Sequence, residues 1–578
     1  MDGEAGVVGV LLVGALGLLA IAFSASLAPR LRIASPLLLV VLGIAVGALP
    51  QVPDITINPE WILAGVLPPL LYSAAVQMPT MDFRRDLRTI SGLSVALVVV
   101  SAVALGFLFH ALVPGLPLAA GIALGAIVSP TDAVATSIVR DVGVSPRITS
   151  ILQGESLLND ATALALLRSA VAITVLTDVT TTAGDVVGDF LRSVAIAGVV
   201  GWVVGRLNLR LRSRVTDPTV NTVISFAVPF VASLPVEALD ASGLVAAVVA
   251  GLVTGHGAPK LLTPAHRASD RQNWRAIELV LEGSVFLLMG LELDGILHQL
   301  GTDQAVALGI RIALLALGAI MLVRAAYVAL LVRSLNRGMR REPEIRRRLE
   351  AMESSLPHAS EDLTTRRLDS ITRRIRRKRH DLDYYAAAPL TWREGGVLTW
   401  AGMRGVVTLV AAQTLPTSVP HRHLLVFIAF VVAALSLLVQ GGTLPWVVRW
   451  LRPARPDPEA LAAERAGLER HLRRTVTDEL TAMPSDQLPP FVVEHVLERF
   501  TSGDMPEATA LEESRALRLH LIGTQRESLL KLRSTGAFSS QVLEERLAQL
   551  DAQQIALETH LDAESQLGWR VCRTRNAA

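Results

Sequence analysis

The sequence predicts an all-α polytopic membrane protein with about thirteen transmembrane helices in two inverted repeats, discontinuous helices crossing at mid-membrane, and a helical cytoplasmic tail. Three observations predict it. First, 51% of the 578 residues are hydrophobic and only 18% charged, with a mean hydropathy of +0.46. Soluble chains carry charge on about a quarter of their residues, whereas here charges are absent from long stretches and crowded into others. Second, arginine follows every second apolar stretch. Third, two stretches contain helix breakers near their middles.

Windows of roughly 20 apolar residues place spans at 5–28, 33–50, 59–78, 89–113, 116–139, 147–176, 185–208, 218–238, 241–256, 275–297, 304–334, 388–414 and 422–450. The opening Met1-Asp2-Gly3-Glu4 lacks the basic n-region of a cleaved signal peptide, so the first stretch reads as a retained helix. Arg30 and Arg32 follow the first span, Arg84, Arg85 and Arg88 the third, and Arg140 and Arg147 the fifth. Arg206, Arg210, Arg212 and Arg214 follow the seventh, and Lys260, Arg267, Arg271 and Arg275 the ninth. The basic loop from Arg333 to Arg379 follows the eleventh. Connections after even-numbered spans instead carry Asp54, Asp178, Asp185, Glu237, Asp240 and Asp303, with Arg422 the exception. The positive-inside rule then gives a multi-pass protein with its N-terminus outside, its C-terminus cytoplasmic and an odd number of crossings, and the plasma (inner) membrane is its expected location.

The breakers are Ser129-Pro130-Thr131-Asp132 in the fifth span and Gly402-Met403-Arg404-Gly405 in the twelfth. Proline removes a backbone donor and paired glycines loosen a helix. Non-helical backbone at this depth survives only inside protein or along a cavity. The two broken spans are an odd interval apart, so they run in opposite directions. That is the arrangement of a secondary transporter's inverted repeats. Residues 1–451 form a membrane domain: repeat one at 5–176, a linker helix at 185–208 and repeat two at 218–450. Pro453, Pro456 and Pro458 mark its end. The remaining 452–578 is polar with helical periodicity (Leu529, Leu530, Leu532, Val542, Leu543, Leu547 and Leu550). It reads either as a solvated helical tail or as a regulatory or dimer-stabilising domain, whose ligand the sequence does not name.

Other classes are excluded. Cys572 is the single cysteine, so there is neither a disulfide framework nor a thiolate metal site. The basic run Arg373-Arg374-Ile375-Arg376-Arg377-Lys378-Arg379 lies in a loop between spans, so nucleic acid is not expected as a partner. No nucleophile–base pair or metal cluster stands in or near the membrane; neither an enzyme nor a cofactor is implied. The partners are the lipid bilayer and small ions.

The chemistry concentrates in Gly154-Glu155-Ser156-Leu157-Leu158-Asn159-Asp160, inside the apolar sixth span. Ionisable groups at membrane depth are costly and mark ion paths. Ser156, Asn159 and Asp160 stand at i, i+3 and i+4 and share a helix face. Their hydroxyl, amide carbonyl and carboxylate are the hard oxygen ligands a small alkali cation prefers. Asp160 can also take a proton, so proton and cation compete for it; the structural alternative is a buried salt bridge or hydrogen-bond donor. Asn159 either ligates the ion or orients other groups. Ser156 either ligates or bonds back to its own helix. Asp132 opens the second half of the broken fifth span, where a carboxylate caps free N–H groups and balances the half-helix dipole. The Thr131 carbonyl, freed by the break, is a natural cation ligand. Glu155 and Arg404 are opposite charges at membrane depth and are expected to pair. Arg168 reads as a snorkelling residue and His110 as interfacial. Among Glu282, Glu292 and Asp294 only Glu282 is deep, and a structural pair is expected for it.

The only lysines are Lys260, Lys378 and Lys531, none deep in a span. With one titratable carboxylate exposed at the site and no membrane lysine, the simplest stoichiometry is one proton for one monovalent cation, which is electroneutral.

Leu67-Pro68-Pro69-Leu70-Leu71-Tyr72, Ser129-Pro130-Thr131-Asp132, Gly154-Glu155-Ser156-Leu157-Leu158-Asn159-Asp160 and Trp400-Ala401-Gly402-Met403-Arg404-Gly405 together resemble the monovalent cation/proton antiporters, in the electroneutral branch of bacterial sodium/proton antiporters and animal exchangers. The resemblance covers roughly residues 5–450. It implies sodium or potassium against a proton at Asp160, with Ser156 and the Thr131 backbone as ligands and a Glu155–Arg404 pair holding the core. It also implies a homodimer whose transport domain moves against a dimerisation domain. One departure is Ser73, where some members carry an acidic residue lining the ion path. The competing reading is an ion-responsive sensor or channel that keeps the fold.

Overall fold

Proline and glycine punctuation decides where helices stop in this chain, and the computed structural model follows it through residues 2–31, 33–49, 58–175, 183–355, 365–483 and 508–575. The expected acidic positions Asp54 and Asp178 lie outside these described residues. The chain forms two compact units.

The larger unit comprises residues 1–261, 269–341 and 388–455. Its helices are α1 (Asp2–Leu31), α2 (Ser35–Gly47), α3 (Pro59–Gln77), α4 (Thr80–Leu112), α5 (Leu118–Val128), α6 (Val134–Asp141) and α7 (Pro146–Val175). They continue as α8 (Ala183–Arg212), α9 (Pro218–Glu237), α10 (Gly243–Leu261), α11 (Pro264–Leu291), α12 (Leu293–Leu300) and α13 (Asp303–Met339). Among the described residues nine helices are long and apolar enough to cross a membrane. Of the other expected spans, the fifth and twelfth are divided at the two breaker sequences, the second is the 13-residue α2, and the tenth lies on α11, which is long but more polar.

Both breaks fall where expected. The fifth span divides into α5 and α6 around residues 129–133, because Pro130 cannot donate to the turn before it. The twelfth divides into α16 (Trp392–Trp400) and α17 (Val406–Gln413) around residues 401–405. By contrast α7, without proline or glycine after Gly154, runs unbroken past the polar face. α3 carries a π-helical turn at Ile62–Val66 just before Pro68 and Pro69, which lack backbone donors. The last membrane helix, α18 (Arg422–Leu451), has a π turn at Leu437–Gly441.

Two main cores result. One gathers α4, α5, α7, α13 and α16–α18, with Leu105, Phe109, Leu124, Leu398 and Phe427 buried. α5 lies tight on α4 there, since a Cβ on Gly125 would come within 2.3 Å of the Ala102 carbonyl oxygen. The other gathers α3 and α8–α11 around Tyr72, Ala232, Ala246 and Trp274. A smaller cluster of Leu71, Ile90, Leu157 and Val248 joins α3, α4, α7 and α10.

The second unit comprises residues 262–268, 342–387 and 456–578. Besides the tail it therefore contains the basic loop, folded as α14 (Glu342–Ser355) and α15 (Thr365–Ala387). The tail forms α19 (Pro458–Ala482), α20 (Ala508–Thr535) and α21 (Ser540–Arg575). Val476 and Leu480 of α19 pack on Leu517 and Leu521 of α20. Asp551 pairs with Arg526 at 3.0 Å and also with Arg267.

Candidate functional site

Where a helix is cut at membrane depth, its last carbonyls and first N–H groups lose their partners and must find others. The two breaks supply them to each other. The Asp132 N–H donates to the Met403 carbonyl at 2.8 Å, so the strands of broken backbone cross in contact. Asp132 Oδ1 accepts from the Val134 N–H at 3.2 Å, capping the positive end of α6 as expected. Arg404 Nε donates to the Val128 carbonyl at 3.0 Å at the negative end of α5, and a second guanidinium N–H bonds the Gly402 carbonyl. Arg324 Nε donates to the Leu398 carbonyl at 2.9 Å, near the end of α16. Each half-helix C-terminus thus faces a guanidinium.

The expected Glu155–Arg404 pair is not what forms. Glu155 is bound through both carboxylate oxygens by Arg324 of α13, with Nη2 2.9 Å from Oε2. Both residues are almost completely buried. The reason is local: Arg404 sits in the break itself, where unpartnered carbonyls compete for its donors. Arg324 approaches from a continuous helix, with its fork free for a bidentate carboxylate. Sequence reading passed over Arg324, although an arginine at the centre of an apolar span is the same anomaly that drew attention to Asp160.

Along α7, Glu155, Ser156, Asn159 and Asp160 are 1%, 6%, 1% and 6% exposed. Asn159 Nδ2 donates to the Thr131 carbonyl at 3.1 Å and to Thr131 Oγ1 at 2.8 Å. Thr131 Oγ1 in turn donates to Glu155 Oε1 at 3.0 Å. An unbroken path of bonds therefore ties Asn159 through Thr131 and Glu155 to Arg324, fastening the α5–α6 break to α7 and α13. The Asn159 carbonyl oxygen has no hydrogen-bond partner among the described residues.

Ser156 and Asp160 differ. Among the described residues neither forms a hydrogen bond or ion pair, and Ser156 is not bonded back to its helix. Both line a cavity of about 260 Å³ together with Thr131, Asp132, Thr136, Gly405 and Thr408. Its far wall comes from α3 and α11, and exposed Gln77, Ser137 and Arg140 mark where it reaches the surface. Those residues lie at the arginine-rich end of the unit. Asn159, Glu155 and Arg404 stand behind this wall and do not line it.

Two expectations change here. Asp160 was expected to be the one exposed carboxylate, yet Asp132, Glu278 and Glu282 line the same cavity. The structural pair expected for Glu282 does not form: among the described residues it has no hydrogen bond or ion pair. Position alone decides this, since α11 turns its acidic face inward and sequence spacing does not show which face a lone helix presents. Glu292 accepts a 2.7 Å bond from Gln413, and Asp294 lies 3.4 Å from His298. His110 bonds the Leu116 carbonyl at 2.6 Å, and Arg168 is exposed.

Comparison with known proteins accords with this geometry. The family model described as "Sodium/hydrogen exchanger, transmembrane" matches residues 17–450. The chain is 31% identical over 548 residues to an uncharacterized Na+/H+ exchanger, YjcE, of Escherichia coli K12, covering 88% of this chain and 92% of that one. It is 28% identical over 434 residues to a sodium, potassium, lithium and rubidium/H+ antiporter of Bacillus pumilus, covering 71% and 57%. The sodium proton antiporter MjNhaP1 of Methanocaldococcus jannaschii has the same fold, with a TM-score of 0.56 at 17% identity over 77% of this chain and 99% of that one. A broken-helix crossing over a buried, unpartnered aspartate and a match to three quarters of the chain agree, and the protein belongs to the transmembrane sodium/hydrogen exchanger family.

Proposed function

We propose that this protein exchanges one monovalent cation, sodium or potassium, for one proton by alternating access, both ions competing for Asp160. The observation that carries the proposal is that Asp160, 6% exposed, lines the cavity beneath the helix crossing and has no hydrogen bond or ion pair among the described residues. A carboxylate so placed needs a counter-charge of its own, and a proton or an alkali cation supplies it. Ser156 adds a hydroxyl oxygen and Thr131 a carbonyl that already accepts one bond from Asn159. Asn159, bonded to Thr131 and set behind the wall, reads as an orienting residue. Asp132, Glu155 and Arg404 hold the crossing.

One-for-one exchange is supported by the absence of lysine from the cavity lining. The arginine-rich end faces the cytoplasm by the positive-inside rule, so the cavity corresponds to an inward-open state, with the N-terminus outside and the C-terminus inside. The Bacillus pumilus relative's printed range of ions keeps potassium within the reading. A homodimer in the inner membrane completes the proposal, which calls for no cofactor.

The test is cation-driven proton movement in proteoliposomes, with sodium, potassium and lithium compared at several pH values. Exchange insensitive to an imposed membrane potential and absent in Asp160→Asn is expected. Current down a cation gradient without proton countermovement would make the protein a channel and sink the proposal.

A further inference from the structure

Glu278 and Glu282 stand one turn apart on α11, and both face the cavity. Glu278 is half-buried near the mouth, where Gln77 Nε2 donates to its Oε1 at 2.8 Å. Gln77 Nε2 also reaches Ser73 Oγ at 3.3 Å. Glu282, one turn deeper, is without a bond among the described residues. Glu282 lines the same cavity as Asp132 and Asp160. Four carboxylates therefore line the cavity, and Arg140 is the one guanidinium among its lining residues.

A second observation points to a bound cation. Thr136 also lines this cavity and is 5% exposed, yet its Oγ1 has no hydrogen-bond partner among the described residues. Buried hydroxyl oxygens are ordinarily satisfied. A free one beside carboxylates offers the neutral hard oxygen that completes an alkali cation's shell.

We propose that Glu278 and Glu282, with the hydroxyl oxygen of Thr136, form a vestibular subsite where the monovalent cation sheds part of its water before moving on to Asp160. This deepens the exchange reading and rests on it. Carboxylates in a narrow, largely apolar vestibule concentrate cations and offset their desolvation. Because one Gln77 amide nitrogen reaches both Ser73 Oγ and Glu278 Oε1, a carboxylate carried at position 73 would stand beside the place Glu278 occupies.

The test is the apparent KM for sodium and potassium, measured with the full chain in proteoliposomes. Glu278→Gln combined with Glu282→Gln is expected to raise KM roughly tenfold, with maximal rate falling less than about threefold, since the change removes attraction and leaves the exchange carboxylate intact. Adding Ser73→Glu to Glu278→Gln should return KM to within about twofold of the parent, which a merely structural role for Glu278 would not allow. If the double glutamine variant does not fold, Glu278→Asp with Glu282→Asp takes its place and should raise KM by a smaller factor. Unchanged KM in whichever double variant folds, or failure of Ser73→Glu to rescue, overturns the subsite even if Asp160→Asn is inactive. Full exchange by Asp160→Asn would instead remove the reading beneath it.

Discussion

Asp132 fills the space a side chain at Gly405 would need: a Cβ there would come within 1.6 Å of Asp132 Oδ2. Position 405 must therefore be glycine for the two breaks to cross. Gly405→Ala is expected to push the breaks apart, lowering stability by at least about 1–3 kcal/mol and abolishing exchange. Thermal unfolding in detergent and proteoliposome flux check both effects; wild-type flux would mean that the crossing tolerates separation.

Among the described residues Asp160 has no bond to lose. Asp160→Asn should leave the melting temperature unchanged or raised, because an isolated buried charge costs stability that a neutral amide does not. Cation-driven proton movement should vanish in the same preparation. A large drop in melting temperature would show that the aspartate had a structural partner after all.

Glu155 and Arg324 are each other's compensation. Removing one alone, as in Arg324→Met, should cost about 3–5 kcal/mol, because the other charge is left buried and unpaired. Glu155→Gln in the same chain should recover much of that loss. A double-mutant cycle should give a larger coupling for Glu155 with Arg324 than for Glu155 with Arg404; the reverse order would reinstate the pairing the motifs suggested.

Ser156 and Asn159 should separate by readout. Ser156→Ala removes an oxygen without a protein bond, so stability should stay within about 0.5 kcal/mol while the cation KM rises. Asn159→Ala breaks two bonds to Thr131 and should cost about 1–3 kcal/mol. Measured melting and KM shifts of equal size in both variants would contradict that division.

What the sequence determined by itself followed from local rules. Apolar length and arginine placement predicted a helical membrane protein, and Pro130 and the Gly402–Gly405 segment located the breaks to within a turn, because helix interruption is a property of the backbone at that residue. The i, i+3, i+4 spacing put Ser156, Asn159 and Asp160 on one face, since helix periodicity needs no tertiary information.

The tertiary structure decided which partners those residues meet. Arg324 and Arg404 carry the same charge at similar depth, and only the approach of α13 to α7, with the unpartnered carbonyls at the end of α5, sent one to Glu155 and the other to backbone. The rotation of α11 likewise brought Glu278 and Glu282 into the cavity and changed the carboxylate count on which the stoichiometry argument had rested. Periodicity fixes which residues share a face of a helix, but the packing of its neighbours fixes where that face points.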